Sequence, residues 1–267
     1  MKVFKTQKRF VLIGCSLHIM MSTTLYAQND LDDLDVVQHV KHYNSLPSVE
    51  ESTAKLQESS QFAPFLKEAE EIVKRFQLDQ FVGLRLIHRH YTLDQNQVMA
   101  EAYKDVNKVP SLVTSAYSLE DAREFNAAPA SWIFGSDPQK EVLLFENSSD
   151  PAVKSALRSL SKSPEFFDEI GTSIRQHRLQ SLLSVAILQR DLLPAKGNQT
   201  YLEVNNSLVN KSVVQICEDV SKEQSVIPTS WSFHEDIITH RCKGYSYCQV
   251  EYDGKHVRWY HHDDVVY

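Results

Sequence analysis

Phe81-Val82-Gly83-Leu84-Arg85-Leu86-Ile87-His88-Arg89-His90-Tyr91 is where the periodicity of this chain changes. Before it, apolar residues recur every three to four positions. Within it they alternate with polar ones, which is the pattern of a half-buried strand. Alternation puts Val82, Leu84, Leu86, His88 and His90 on one face and Arg85, Ile87, Arg89 and Tyr91 on the other. A helical first third followed by strands predicts an α+β fold. The expected architecture is N-terminal helices followed by a mostly antiparallel sheet with intervening helices.

Working back from this stretch, Phe62 to Phe76 reads as a helix with Phe65, Leu66, Ala69, Ile72, Val73 and Phe76 on one face. Ser48-Val49-Glu50-Glu51 has the form of a capped start to another. Asp30 to Asn44 predicts a first helix whose apolar stripe is Leu31, Leu34, Val37 and Val40. His39 and His42 then fall on its surface. Working forward, strands are expected at Ser111–Tyr117, Ser131–Phe134 and Glu141–Glu146, the last two joined by a hairpin turn over Phe134 to Lys140. Asp150-Pro151 opens a helix, because Pro is at home in the first turn. Pro164 to Arg178 follows as another. Leu179 to Leu193 reads as a strand. Tyr201–Val204 and Leu208–Cys217 can pair across Asn205-Asn206-Ser207, and Trp231 onward reads as two or three more strands.

The N-terminus carries an address. Lys2, Lys5, Lys8 and Arg9 precede an apolar run from Phe10 to Met21, and Thr23-Thr24-Leu25-Tyr26-Ala27 ends on a small residue. This is the build of a secretory signal peptide over residues 1–27. The run is about a dozen residues, short of the roughly 20 that a spanning helix needs, so no membrane span is expected in the mature chain. A competing reading takes Leu12-Ile13-Gly14-Cys15 as a lipoprotein box with Cys15 lipidated. Residues 28–267 are expected to form a single α+β domain, with 194–200 the weakest point. A secreted or periplasmic location makes disulfides available. Asn147, Asn198, Asn205 and Asn210 each begin an Asn-X-Ser/Thr triplet, an acceptor for glycans on surface loops in a eukaryotic pathway.

Composition removes several classes. The chain has 267 residues, a net charge of −7 and only 7 Gly. Nucleic-acid binding needs clustered Lys and Arg, so no nucleic-acid partner is expected. Neither Gly-rich phosphate motif is present, nor the Gly-X-Ser-X-Gly elbow, nor His-Glu-X-X-His.

Chemistry-bearing residues concentrate late. Of the 11 His, five lie beyond residue 233: His234, His240, His256, His261 and His262. Cys242 and Cys248 lie among them. His88 and His90 at the end of their strand, with His240, His256 and His262, could converge on one polar or metal site, and imidazole suits zinc. The plainer reading of His88 and His90 is a core-edge pair satisfied by backbone or carboxylate. Cys242 and Cys248, five residues apart in an exported chain, are expected to form a disulfide around Gly244, leaving Cys217 over. Arg85 and Arg89 read as a salt-bridged or solvated face, or as an anion site. No catalytic residue and no reaction can be assigned. Two functions are compatible with these residues. One is an exported protein with a His-centred site, enzymatic or binding. The other is a disulfide-stabilised interaction or structural module with a protein partner and no catalysis.

Overall fold

The computed structural model describes residues 31–106, 108–135, 140–188, 200–206, 210–217, 226–234 and 243–249. The signal segment, 194–199 of the 194–200 stretch, Cys15, Cys242, His240, His256 and His262 lie outside these residues. Among them are six helices and ten strands. In chain order they are α1 (Val36–Asn44), α2 (Val49–Glu58), α3 (Phe62–Arg75), β1 (Val82–Leu86), β2 (Gln97–Val106), β3 (Val109–Ser118) and α4 (Leu119–Glu124). Then come β4 (Ala127–Phe134), β5 (Lys140–Asn147), α5 (Pro151–Leu160), α6 (Glu165–Gln176), β6 (Leu183–Ile187), β7 (Thr200–Asn206), β8 (Lys211–Cys217), β9 (Val226–Ser232) and β10 (Lys243–Gln249). The mixed α+β class and the mostly antiparallel sheet are as expected.

The helix starts follow from their caps. Ser48 and Glu51 form a reciprocal capping box on α2, with each side chain taking the other's backbone N–H. Asp150 accepts from Ala152 N–H at the start of α5, with Pro151 in its first turn. Ser118 caps the short α4 through Asp121 N–H.

The strands close into a barrel in the order β1-β6-β4-β5-β2-β3-β8-β7-β10-β9, with β9 pairing back onto β1. Two contacts are parallel, β2 with β5 and β7 with β10. The other strand pairs are antiparallel. The closing seam needs Gly83. A Cβ there would sit 2.2 Å from the Trp231 carbonyl oxygen and 2.4 Å from Leu188 Cδ1, so only glycine lets β1 and β9 approach.

Register separates the two faces of the wall, because residues directly opposite share a face. Arg85 lies opposite Ser184 and Ser230, Glu101 opposite Thr114 and Glu146, and Thr114 opposite Ser212. Ser212 in turn lies opposite Asn205. One ion pair shows that this face is the interior. Arg85 Nη1 donates to Glu101 Oε1 at 3.1 Å, although β1 and β2 are separated in the ring by β6, β4 and β5 on one side. Such a contact can only cross the lumen. The outer face is apolar and clad by helices. Val82, Leu84 and Leu86 share a buried cluster with Phe65, Ile72 and Val73 of α3 and with Phe166, Ile170 and Ile174 of α6. A second cluster joins Leu31, Val98, Ala100, Ala122, Ala127 and Phe145. Burial of this apolar surface, at about 25 cal/mol per Å² removed from water, is what holds helices to barrel.

Four expectations need correction. The 81–91 strand ends at Leu86: Ile87 N–H still reaches the Leu182 carbonyl in register, but Arg89 N–H turns away to Pro47. His88 and His90 therefore do not continue the face of β1. On α1, Val37 is 76% exposed while His39 and Tyr43 are buried. The helix turns its larger rings inward, where His39 meets Phe145 edge-on at 6.2 Å between centroids. Arg85 is salt-bridged but faces the lumen, not solvent. Asn205 is 2% exposed on β7, so this glycan acceptor is not on a surface loop. No described helix is long and apolar enough to cross a membrane, which says nothing of strands.

Candidate metal centre at the barrel mouth

Residues 87–93 leave β1 and cross one mouth of the barrel. Their backbone is held from both sides. On the α1 side, Asn44 Nδ2 donates to the Leu93 carbonyl at 2.9 Å, and Leu93 N–H donates to Asn44 Oδ1 at 2.8 Å. The Arg89 guanidinium donates to the Asn44 carbonyl, and Arg89 N–H to the Pro47 carbonyl at 2.9 Å. The Tyr43 phenol is hydrogen-bonded to the backbone of His90. On the barrel side, Asn205 Nδ2 donates to the His90 carbonyl at 3.4 Å, and Ser212 Oγ donates to Asn205 Oδ1 at 3.2 Å. Tyr91 Oη donates to the Thr114 carbonyl at 3.3 Å.

This crossing brings His88 and His90 to Glu203 of β7. The two imidazoles stand edge-on with centroids 4.6 Å apart. His90 Nε2 lies 3.4 Å from Glu203 Oε1. One donor atom from each of the three residues lies within 4.8 Å of the others. A tetrahedral zinc shell at about 2.1 Å sets donor separations near 3.4 Å, so small side-chain shifts convert this cluster into a coordination shell. His88 is ready for that role. Its Nδ1 lies 2.9 Å from the Leu86 carbonyl, which can only accept, so Nδ1 carries a proton and in the neutral ring Nε2 holds the lone pair that a metal takes. A ligating imidazole anchored through its other nitrogen is the usual support in metal sites.

The surroundings are poorly solvated. His88 is 7% exposed, and the side chains of His90 and Glu203 only 10% and 12%. Burial pushes the Tyr43 phenol well above the usual phenol range, with the Glu203 charge adding to it. Burial does the same to Tyr91, with Tyr43 and Glu203 adding to it. Both phenols remain neutral around the site. Deeper in the lumen Glu101 also receives the Thr114 hydroxyl at 3.1 Å. Ser131 Oγ donates to Ser184 Oγ at 3.1 Å. The interior thus carries buried polar groups beside an apolar cluster of Leu112, Tyr201 and Val214.

Among the expected site residues, His88 and His90 come together. His240, His256 and His262 lie outside the described residues, as does Cys242. Cys248 is described as backbone of β10, in register with Glu203, so the Cys242–Cys248 bridge is not addressed. Glu203 was not anticipated. Its only sequence signal is its place between Tyr201 and Asn205 at alternate positions of a strand that pairs on both sides. No family model, no curated protein and no solved structure matches the chain.

Proposed function

We propose that this is an exported protein whose barrel mouth carries a His-centred site. In this reading His88, His90 and Glu203 hold one divalent transition-metal ion, with zinc the natural choice. The observation that carries the reading is the meeting of two neighbouring imidazoles with a carboxylate 113 or more residues further along the chain, within 4.8 Å in a nearly dry setting. Two imidazoles disfavour Mg²⁺ and Ca²⁺, which take oxygen ligands. His88 Nε2 is the anchored donor, His90 is set by its pinned backbone, and Glu203 supplies the negative charge. A bound ion of this kind polarises an oxygen or lowers the pKa of a water molecule, which is the chemistry of hydrolysis. Arg85, Glu101 and Thr114 line the lumen with polar groups suited to a small polar substrate or ligand.

Co²⁺ titration of the metal-stripped mature protein tests this, followed by its visible absorption. One equivalent with a ligand-field band is expected, lost in Glu203→Ala. Binding that survives that substitution unchanged would count against the assignment. The export reading is checked separately by N-terminal sequencing of the mature chain, expected to begin at Gln28.

A further inference from the structure

We infer that Asn44 and Asn205 form a two-sided clamp that positions the histidine segment, and that the N-terminal arm is therefore part of the metal site. The inference rests on the metal reading above but adds residues that touch no ion.

The argument starts from what holds His88 and His90. They lie beyond the last paired residue of β1, so no strand ladder fixes their backbone. Asn44 stands in for a ladder. Its carboxamide donates to the Leu93 carbonyl and accepts from Leu93 N–H, the same pair of bonds that a neighbouring strand would supply. Its own carbonyl takes the Arg89 guanidinium. One residue thus ties both flanks of His90. Asn205 does the complementary work from β7. It donates to the His90 carbonyl and is oriented by Ser212. It also sits two residues from Glu203 on the same inward face. Asn205 therefore sets the spacing between the His90 backbone and the strand that carries the carboxylate.

The two asparagines reach the segment from opposite directions and from parts of the chain 161 residues apart. With one removed, the segment keeps its bonds to Pro47, Tyr43 and Thr114 but loses side-chain support on that side, so the donors converge less well. Both act through the histidines and are positioning residues. Supporting groups of this kind change metal affinity by about 10–100-fold when removed. Linkage is reciprocal, so metal binding should also tighten the docking of α1.

The test compares Asn44→Ala, Asn205→Ala and Asn44→Asp with Gln61→Ala, a control at the distant His177 contact on α3. Two readouts are taken on each folded protein. The first is Co²⁺ affinity with its visible spectrum. Both alanine variants should lose about 10–100-fold and show an altered band, Asn44→Asp should recover part because it still accepts from Leu93 N–H, and Gln61→Ala should match wild type. The second needs no metal: long-range ¹H–¹⁵N spectra of the imidazoles. Wild type should show His88 locked with its proton on Nδ1, and the alanine variants should show tautomer averaging for His88 or His90. If wild type takes up no Co²⁺, the metal reading fails while the imidazole spectra still decide the clamp. Folded alanine variants with wild-type imidazole spectra would overturn it. Should Asn205→Ala not fold, Asn44→Ala and Asn44→Asp decide alone.

Discussion

Two pairs of histidines lie close together in sequence and end in opposite chemical situations. His39 and His42 stand three apart on α1. His88 and His90 stand two apart on an irregular crossing segment. In the first pair the environment separates the rings. His39 is buried against Phe145, and burial pushes it down to about 4, so it stays neutral. His42 remains partly exposed and meets Glu141 at 2.8 Å. In the second pair the environment brings the rings together, 4.6 Å apart, and adds a carboxylate. The difference is one of backbone support. A helix fixes the angle between neighbouring side chains, whereas a segment held by outside hydrogen bonds can aim two rings at one point. Identity and spacing of histidines alone do not make a site.

The strongest way to break this comparison is to open the barrel beneath both pairs. Gly83→Val forces two γ-carbons and a Cβ into the β1–β9 seam, where the Trp231 carbonyl is already 2.2 Å from an added Cβ. We expect a loss of about 3 kcal/mol or more, visible in a urea midpoint, or no folded protein at all.

A second test sharpens the contrast through pH. The folded pKa of His39 is lowered, so the folded protein resists a proton that the unfolded chain accepts. Stability from this group is complete above about pH 6.5 and declines as pH falls toward about 4. The full loss is on the order of 3 kcal/mol. The neighbouring charges bear on this in opposite senses, since His42 disfavours protonation and Glu141 favours it. His39→Asn keeps a donor for the Val142 backbone and removes the ionisation. It should flatten the decline between pH 7.5 and 4.5 while changing Co²⁺ affinity far less than Asn44→Ala does.

The converse substitution acts on the other pair. His90→Ala should cut Co²⁺ affinity about 100-fold or more, since losing a ligand exceeds losing a supporting group. The slope of stability against pH should keep its His39 component. The smallest effect belongs to Glu141→Gln. The His42–Glu141 contact is between groups 37% and 55% exposed, and such pairs contribute about 1 kcal/mol or less.

How much of this was legible in the sequence differs by physical cause. Capped helices were readable because Ser48 with Glu51, and Asp150 with Pro151, act within one turn. β2 was missed. Its outward Val98 and Ala100 are apolar, but its inward face runs Met99, Glu101, Tyr103, so both faces are largely buried and the usual alternation is blurred. The exposed Val37 misled the reading of α1, because a tertiary partner for His39 and Tyr43 outweighs one valine. His88 and His90 stood out as residue types, yet their direction could not be read. It depends on Asn44 and Asn205, whose bonds to Leu93 and His90 are long-range. Glu203 was invisible for the same reason. Register across β7, β8 and β3 decides that it points inward.

The burial of Asn205 reaches back to how the polypeptide matures. Asn205-Asn206-Ser207 is an acceptor triplet, yet its carboxamide is spoken for on both sides inside the closed wall. A sugar on this carboxamide would have to sit inside the lumen, in the place of its bonds to His90 and Ser212. Oligosaccharide transfer at this asparagine and completion of the barrel are therefore mutually exclusive fates of the nascent chain.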